Sequence, residues 1–296
     1  MAKFASPVRQ AAAVVKRLQG RDGVLKSVGT VRNYQAALSR VAEWMRVERL
    51  PVGLQSLTSQ QAHHYLEMRS QSVGQSALNL ERQAIQAMFQ HLTHQMAVGH
   101  ALPVVKSELD QALKSRAYTR EQVELVTLAQ MQRNSLATEI AFAAGLRAHE
   151  LLTLRRAHER IADPRPARTE KFQGRAGLHY TVQGKGGLIR QVTIPLVLAE
   201  RLESLRLDMP RRVTDRGIYY QQYYDLAGGH RWSASYSAAS TRVLGWSAGA
   251  HGLRHSYAQQ RMTELQLLGL ERVVALETVS QELGHFRPEI TEVYLR

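Results

Sequence analysis

The chain has 296 residues, 44% of them hydrophobic, and carries 39 Lys and Arg against 25 Asp and Glu, a formal net charge of +14. That length and apolar content bury a core in one large domain or two ordinary ones, which excludes disorder as the default description. The lack of cysteine excludes disulfides, thiolate zinc sites and cysteine nucleophiles, and no apolar run approaches the ~20 residues of a membrane-spanning helix.

No secretory signal is visible between Met1 and Lys16, so a cytoplasmic setting is expected. Residues 1–110 hold 13 basic and 7 acidic side chains, and residues 111–296 hold 26 and 18. Both halves therefore attract a polyanion. An anionic membrane surface would satisfy the charge alone, but nucleic acid is the commoner partner and is favoured.

In chain order, Val31, Tyr34, Leu38, Val41, Trp44 and Met45 recur at helical spacing and predict a helix over about Thr30–Arg46. Pro51 and Gly53 break it. Thr58 with Gln61 three residues on has the form of a capping box and starts a helix through Tyr65 and Met68, which Gly74 ends. A further helix carries Ala77, Leu80, Ala84, Ile85, Met88, Phe89 and Leu92 on its buried side. Three or four such helices make a bundle of roughly 100 residues, decorated by Arg32, Arg40, Arg46, Arg49, Arg69 and Arg82. Of these, Arg32, Arg40, Arg69 and Arg82 are the candidate DNA contacts. The stretch from Gly99 to Ala117 is weakly periodic and reads as a linker. Thr119 with Gln122 reads as a second capping box, opening a second domain.

That domain is mixed. Leu136–Ala144 reads as a buried helix ended by Gly145, and Ala148–Arg155 as another, with Arg147 at the turn between them. Arg160–Gly177 is charged, holds Pro and Gly, and reads as a surface loop. Leu178, Tyr180 and Val182 alternate with polar residues, and the alternation resumes over Ile189–Ile194. Gly184-Lys185-Gly186-Gly187 lies between these runs, which predicts a hairpin with Lys185 at its tip. From Pro195 onward the pattern reads as helical, apart from breaks at Gly228–Gly229 and Gly245–Gly249.

Four segments carry residues suited to chemistry. In Gly145-Leu146-Arg147-Ala148-His149-Glu150-Leu151, Glu150 lies one helical turn beyond Arg147 and can hold it. Lys185 sits in a glycine-rich turn that lacks the P-loop spacing. In His251-Gly252-Leu253-Arg254-His255, positions 251 and 254 share a helix face. His251 and His255 also have the spacing of a zinc pair, but no third ligand and no His-Glu-x-x-His motif accompany them, so no metal is expected. In Leu283-Gly284-His285-Phe286-Arg287-Pro288, Gly284 suits a helix C′ position and Pro288 the first turn of a new helix. His285 falls between them, and Tyr294 follows nearly two turns into that last helix. Singly, these have ordinary readings: a surface salt bridge, a solvated lysine, a packing tyrosine.

Together, two Arg, one Lys, two His and a Tyr are what phosphodiester transfer without a metal requires. Guanidinium groups bind the two nonbridging oxygens and stabilise the charge that develops there. A free tyrosine has a pKa of about 10, so ionising it at pH 7 costs roughly 4 kcal/mol. Nearby cations reduce that cost, and a neutral His can accept the proton. Lys185 can protonate the leaving 5′-oxygen. Attack by tyrosine rather than water keeps the bond energy in a phosphotyrosine, so the strand can be resealed without ATP.

Arg in Gly-Leu-Arg-x-x-Glu-Leu, Lys in a hairpin turn, His-x-Leu-Arg-His, then Leu-Gly-His and a Tyr nine residues later form an ordered set. It resembles the tyrosine recombinase (phage-type integrase) family across about Thr119–Arg296. The resemblance implies a mainly α fold with a small β-sheet or hairpin (α+β). Its parts would be a helical, SAM-like core-binding domain at residues 1–105, a linker at 106–118 and a catalytic domain at 119–296. It implies that Arg147 and Arg254 clamp the scissile phosphate and that Lys185 is the general acid. It further implies that His251 assists proton transfer, His285 hydrogen-bonds the phosphate, Tyr294 is the nucleophile and Glu150 supports the site from behind. No cofactor is implied. The partners implied are double-stranded DNA recombination sites held in a C-shaped clamp by a homotetramer, which exchanges strands through a Holliday junction. Accessory DNA-bending or directionality proteins are compatible with this, as is a nucleoid-associated location.

Two features depart from the family pattern. Only Leu295 and Arg296 follow Tyr294, where many relatives carry a tail that docks on a neighbouring subunit, so delivery of Tyr294 in cis is expected. The Arg160–Gly177 loop is also less regular than the short strand expected before the hairpin. The leading expectation is a site-specific recombinase, the integrase of a mobile element. The alternatives are a type IB topoisomerase, which uses the same groups to relax supercoils, and a catalytically silent DNA-binding protein.

Overall fold

Apolar residues at helical spacing collect on one face of each of four N-terminal helices, α1 (Pro7–Leu18), α2 (Val28–Val47), α3 (Ser59–Ser70) and α4 (Gln75–His91). The computed structural model describes residues 5–20, 23–50, 53–109 and 115–296, with Lys185 described in its backbone only. The chain divides into two compact units, Met1–Ala112 and Leu113–Arg296. In the first, Leu38, Val41, Tyr65, Leu66, Ile85, Met88 and Phe89 form the core. Each large side chain buried there contributes roughly 1.5–3 kcal/mol. Helix α1 escaped the sequence reading although Ala11, Val14, Val15 and Leu18, all buried, follow the i, i+3, i+4, i+7 pattern. The expected capping box at Thr58 and Gln61 is formed, each side chain meeting the other's backbone N–H.

One buried charge organises this unit. Glu81 is fully buried and accepts from Arg40 Nε at 2.8 Å, Arg69 Nη2 at 3.0 Å and Tyr65 at 2.9 Å. Residues 106–109, within the expected linker, lie on this unit: Ser107 N–H donates to Gln75 Oε1 and Glu108 N–H to the Ser70 carbonyl.

The second unit opens with the Thr119–Gln122 capping box. Its first helices are α5 (Arg120–Leu128) and α6 (Gln132–Ala144). After a 3-10 turn, Glu150–Thr153, come β1 (Arg155–Arg156), β2 (Leu178–Gln183) and β3 (Ile189–Ile194). They form an antiparallel sheet in the order β1-β2-β3, with Thr181 opposite Arg155 and Gln183 opposite Ile189. Then follow α7 (Leu196–Glu203), β4 (Arg206–Asp215), β5 (Ile218–Tyr224), α8 (Gly229–Leu244), α9 (Gly252–Leu267), α10 (Arg272–Leu283), α11 (Pro288–Thr291) and a last 3-10 turn, Glu292–Leu295. One core cluster gathers Ile140, Leu146, Tyr180, Val192, Trp232 and Leu253. A second joins Tyr257, Leu265, Val279, Leu283 and Tyr294.

The fold is mainly α with small antiparallel sheets, as expected, but three local readings need correction. Ala148–Arg155 is not a helix. Thr153 bonds back to the Glu150 carbonyl and also receives Gln183 N–H, so the chain leaves the 3-10 turn extended and enters the sheet as β1. That strand precedes the Arg160–Gly177 loop, where a short strand seemed missing. The region after Pro195 is not all helix either. β4 and β5 pair across a two-residue turn, Arg216-Gly217, with φ of 50° and 80°. Positive φ at both positions is the type I′ geometry that closes hairpins, and Pro210 falls within the irregular register between Arg206 and Arg211. Finally, Tyr294 sits on the closing 3-10 turn, because α11 is a single turn.

Replacing Glu81 with Ala leaves Arg40 and Arg69 without their shared carboxylate and Tyr65 without an acceptor. Thermal or urea unfolding of the full chain should show a loss of about 2–4 kcal/mol, and a loss below about 0.5 kcal/mol would contradict the role given to Glu81.

Candidate active site

Helix α6 ends at Gly145, whose φ of +61° and lack of a Cβ are both required: a Cβ there would lie 2.8 Å from Tyr257 Cδ1. The chain then turns sharply enough for Arg147 to meet Glu150 twice, its backbone N–H and its Nη1 each donating to the carboxylate at 2.8 Å. Glu150 is fully buried. From strand β3, Arg190 Nη2 donates at 2.7 Å to its Oε2, the oxygen that also accepts the Arg147 N–H, and Arg190 Nη1 donates to the Glu282 carbonyl at 2.6 Å. Burial opposes the charged form of Glu150, yet Arg190, Arg254 and Arg147 outweigh it and hold the carboxyl far below the usual carboxylate range.

Arg254, on the first turn of α9, is also fully buried. Its Nη1 donates to the Gly145 carbonyl, and its Nη2 donates to the Leu283 carbonyl and to His285 Nε2, the last at 3.0 Å. Its Nε has no partner among the described residues. Burial, then Arg147, push this guanidinium down to about 9 against the pull of Glu150, so it remains charged at neutral pH. Because His285 Nε2 accepts from Arg254, Nδ1 carries the ring proton and donates to Thr291 Oγ1 at 3.1 Å.

Tyr294 is 8% exposed. Its hydroxyl lies 3.1 Å from His251 Nε2. Its ring centroid is 4.6 Å from that of His255 and 5.0 Å from that of His285, and the Arg254 guanidinium carbon is 5.7 Å from it. Gln259 donates to the Tyr294 carbonyl at 3.2 Å, which fixes the closing turn to α9. All three imidazoles are held neutral. Burial first, then neighbouring arginines, push His251 and His255 down to about 4 and His285 down to about 3.

Lys185 occupies the β2–β3 turn, as the alternation predicted; its side chain lies outside the described residues. A Cβ on Gly184 would sit 3.3 Å from Glu150 Oε1, so the near leg of this turn rests against the Arg147–Glu150 pair.

No family model and no curated protein matches the chain. Solved structures do. The XerH site-specific recombinase bound to difH substrate matches at 17% identity and a TM-score of 0.57, over 98% of this chain and 81% of that one. A lambda integrase dimer bound to a COC′ core site matches at 15% identity and a TM-score of 0.58, over 97% and 94%. The Tn1549 transposon integrase in complex with transposon right end DNA matches at 14% and 0.57, over 97% and 94%. This is the tyrosine recombinase fold.

Within the tyrosine recombinase fold, Arg147, Glu150, His251, Arg254, His285 and Tyr294 converge on one place through α6, α9 and the two turns after α10. The four arginines suggested as DNA contacts belong to the N-terminal unit. Arg32 is exposed, Arg40 and Arg69 bind Glu81, and Arg82 donates to the Leu102 carbonyl at 2.9 Å. One residue beside Tyr294 and one behind it were not assigned to the site from sequence: His255, weighed only as half of a zinc pair, and Arg190. Arg190 shares the inward face of β3 with Val192 and Ile194, and a charged residue at a buried strand position was the signal. His255 is 5% exposed, and its position directly after Arg254 gave no sign of the Tyr294 contact.

The neutral imidazoles carry a pH signature. In the unfolded chain His255 and His285 titrate near the ordinary imidazole value of about 6.5, and in the fold near 4 and 3. The unfolded state thus binds more protons between those values, so stability is level above neutral pH and declines as pH falls from about 6.5 toward 4. His285→Asn should make the decline of the thermal midpoint shallower; an unchanged slope would count against this. Glu150→Gln should cost about 3 kcal/mol in urea unfolding, because Arg190 and Arg254 lose the carboxylate between them while remaining buried.

Proposed function

We propose that this chain is a site-specific DNA recombinase of the tyrosine recombinase family, cutting and rejoining DNA through a 3′-phosphotyrosine at Tyr294. The observation that carries the reading is the Tyr294 hydroxyl 3.1 Å from His251 Nε2, beside Arg254. With Nε2 unprotonated, His251 accepts the phenol proton as Tyr294 attacks phosphorus. The bond to the 5′-oxygen breaks, Lys185 supplies the proton that oxygen needs, and Arg147 and Arg254 hold the nonbridging oxygens. Attack by a 5′-hydroxyl of another strand reverses the step and frees Tyr294. Arg254 is fully buried, with its guanidinium 5.7 Å from the centre of the Tyr294 ring, so the local packing must open for a phosphate to reach it.

The likeness to lambda and Tn1549 integrases supports a mobile-element role. The lambda integrase tetramer bound to a Holliday junction supports a homotetramer on DNA as the working assembly. Delivery of the nucleophile in cis is the form proposed here, and it is open to a direct mixing test.

Mapping where the protein attaches covalently to DNA of its own source defines a recombination sequence, and a nicked duplex bearing that sequence is the test substrate. Wild type should form a denaturant-stable adduct through Tyr294, and Tyr294→Phe should form none. Absence of any adduct overturns the reading. Relaxation of plasmids lacking the sequence, without junction formation, would indicate a type IB topoisomerase instead. Mixing Tyr294→Phe with Arg147→Ala should not restore cleavage, and restoration would show delivery in trans.

A further inference from the structure

The Arg160–Gly177 loop touches the Lys185 hairpin at a place that packing alone does not explain. β3 is an edge strand of its sheet. Gly184 N–H bonds to the Leu188 carbonyl at 2.7 Å, and Gln183 stands opposite Ile189. The alternation of an antiparallel ladder therefore turns the N–H and C=O of Ile189 away from β2, toward the open edge.

Asp163 occupies both groups. Its backbone N–H donates to the Ile189 carbonyl at 2.9 Å, and its Oδ2 accepts from Ile189 N–H at 3.0 Å. One residue thus does the work of a short strand at the first position of β3. Pro164 follows, and a residue before proline is confined to the extended region, which suits Asp163 to this pairing.

The two legs of the Lys185 turn are consequently held from opposite sides. On the β2 leg, Gln183 N–H donates to Thr153 Oγ1 at 2.9 Å and Gly184 rests against Glu150. On the β3 leg, Asp163 holds Ile189. Between them Gly186 and Gly187 have φ of +79° and +89°, and a Cβ on Gly186 would meet nothing within 4 Å.

The geometry points to Asp163 as a positioning residue for Lys185: it fixes the β3 leg of the turn and so sets where the general acid is presented to the 5′-oxygen. This rests on the recombinase reading above. It predicts a dependence on the leaving group that a purely structural role lacks. A 5′-thiolate departs without a proton, so a duplex with sulfur in place of the bridging 5′-oxygen has no need of Lys185.

The test is single-turnover cleavage of the nicked duplex bearing the mapped attachment sequence, in oxygen and 5′-sulfur forms. Asp163→Ala should slow the oxygen substrate about tenfold, part of the ~10²-fold that a 1 Å misplacement of a catalytic group can cost. The same variant should cleave the sulfur substrate within about twofold of wild type, where no general acid is required. Asp163→Asn keeps an oxygen acceptor for Ile189 N–H and should behave as wild type on both. Equal slowing on both substrates, or no slowing on either, overturns the proposal. Lys185→Ala is the separate control: it should fail on oxygen and recover on sulfur. Failure to recover would sink the assignment of Lys185 as the acid, and a wild type that cleaves neither substrate would sink the recombinase reading itself.

Discussion

The second unit depends on one buried carboxylate. Glu150 has no exposure, and it draws Arg147 from its own turn and Arg190 from strand β3, with Arg254 from α9 close enough to stabilise its charge. An isolated carboxylate in such a place would be prohibitively costly, and an isolated guanidinium equally so. Each is tolerated only with the others present, which is why a turn, a strand and a helix distant in sequence converge here. Gly145 is part of the same constraint. Its carbonyl receives donors from both Arg254 and Arg190, and its left-handed backbone brings that carbonyl into reach. Gly284 plays the matching part after α10, where a Cβ would lie 2.7 Å from Arg190 Cδ.

The same crowd of guanidinium groups decides the state of the histidines. Burial already disfavours imidazolium, and Arg254, Arg147 and Arg116 add like charge. A neutral imidazole is an acceptor, so the ring next to the Tyr294 hydroxyl is suited to take a proton. The positive charge that phosphate binding needs is then left to groups that never titrate near neutrality. This separates the two tasks by residue type: guanidinium for charge, imidazole for proton traffic.

Much of this was legible in the sequence, and the failures have physical causes. The capping boxes at Thr58 and Thr119 and the β2–β3 alternation could be read directly, because each is a local pattern that satisfies local backbone groups. Ala148–Arg155 could not. Its fate is set by Thr153, whose hydroxyl oxygen accepts a hydrogen bond from the Gln183 N–H, 30 residues on. The β4–β5 hairpin was hidden by its charges: Arg206, Arg211 and Arg212 alternate poorly, and only Arg216-Gly217 among tyrosine-rich flanks marked the turn. For the site, residue type and order sufficed to group Arg147, His251, Arg254, His285 and Tyr294, with Glu150 behind them. Arg190 was missed because its importance lies in what it faces, not in a motif, and His255, though part of the His-x-Leu-Arg-His motif, gave no sign there of the ring it packs against.

The resting arrangement has a consequence for how substrate engages. Arg254 has no exposure and Tyr294 only 8%, and the aromatic ring lies over the guanidinium. The nucleophile is therefore packed against the cation that the proposed chemistry assigns to the phosphate. A site built this way keeps Tyr294 beside its acceptor and away from water until a phosphodiester competes for Arg254. The competition is favourable only for an anion able to replace what the ring covers, because Arg254 already has two carbonyls and His285 as partners. On the proposed chemistry, displacement of the Tyr294 ring and binding of phosphate would be a single event, tying exposure of the nucleophile to the presence of the group it attacks.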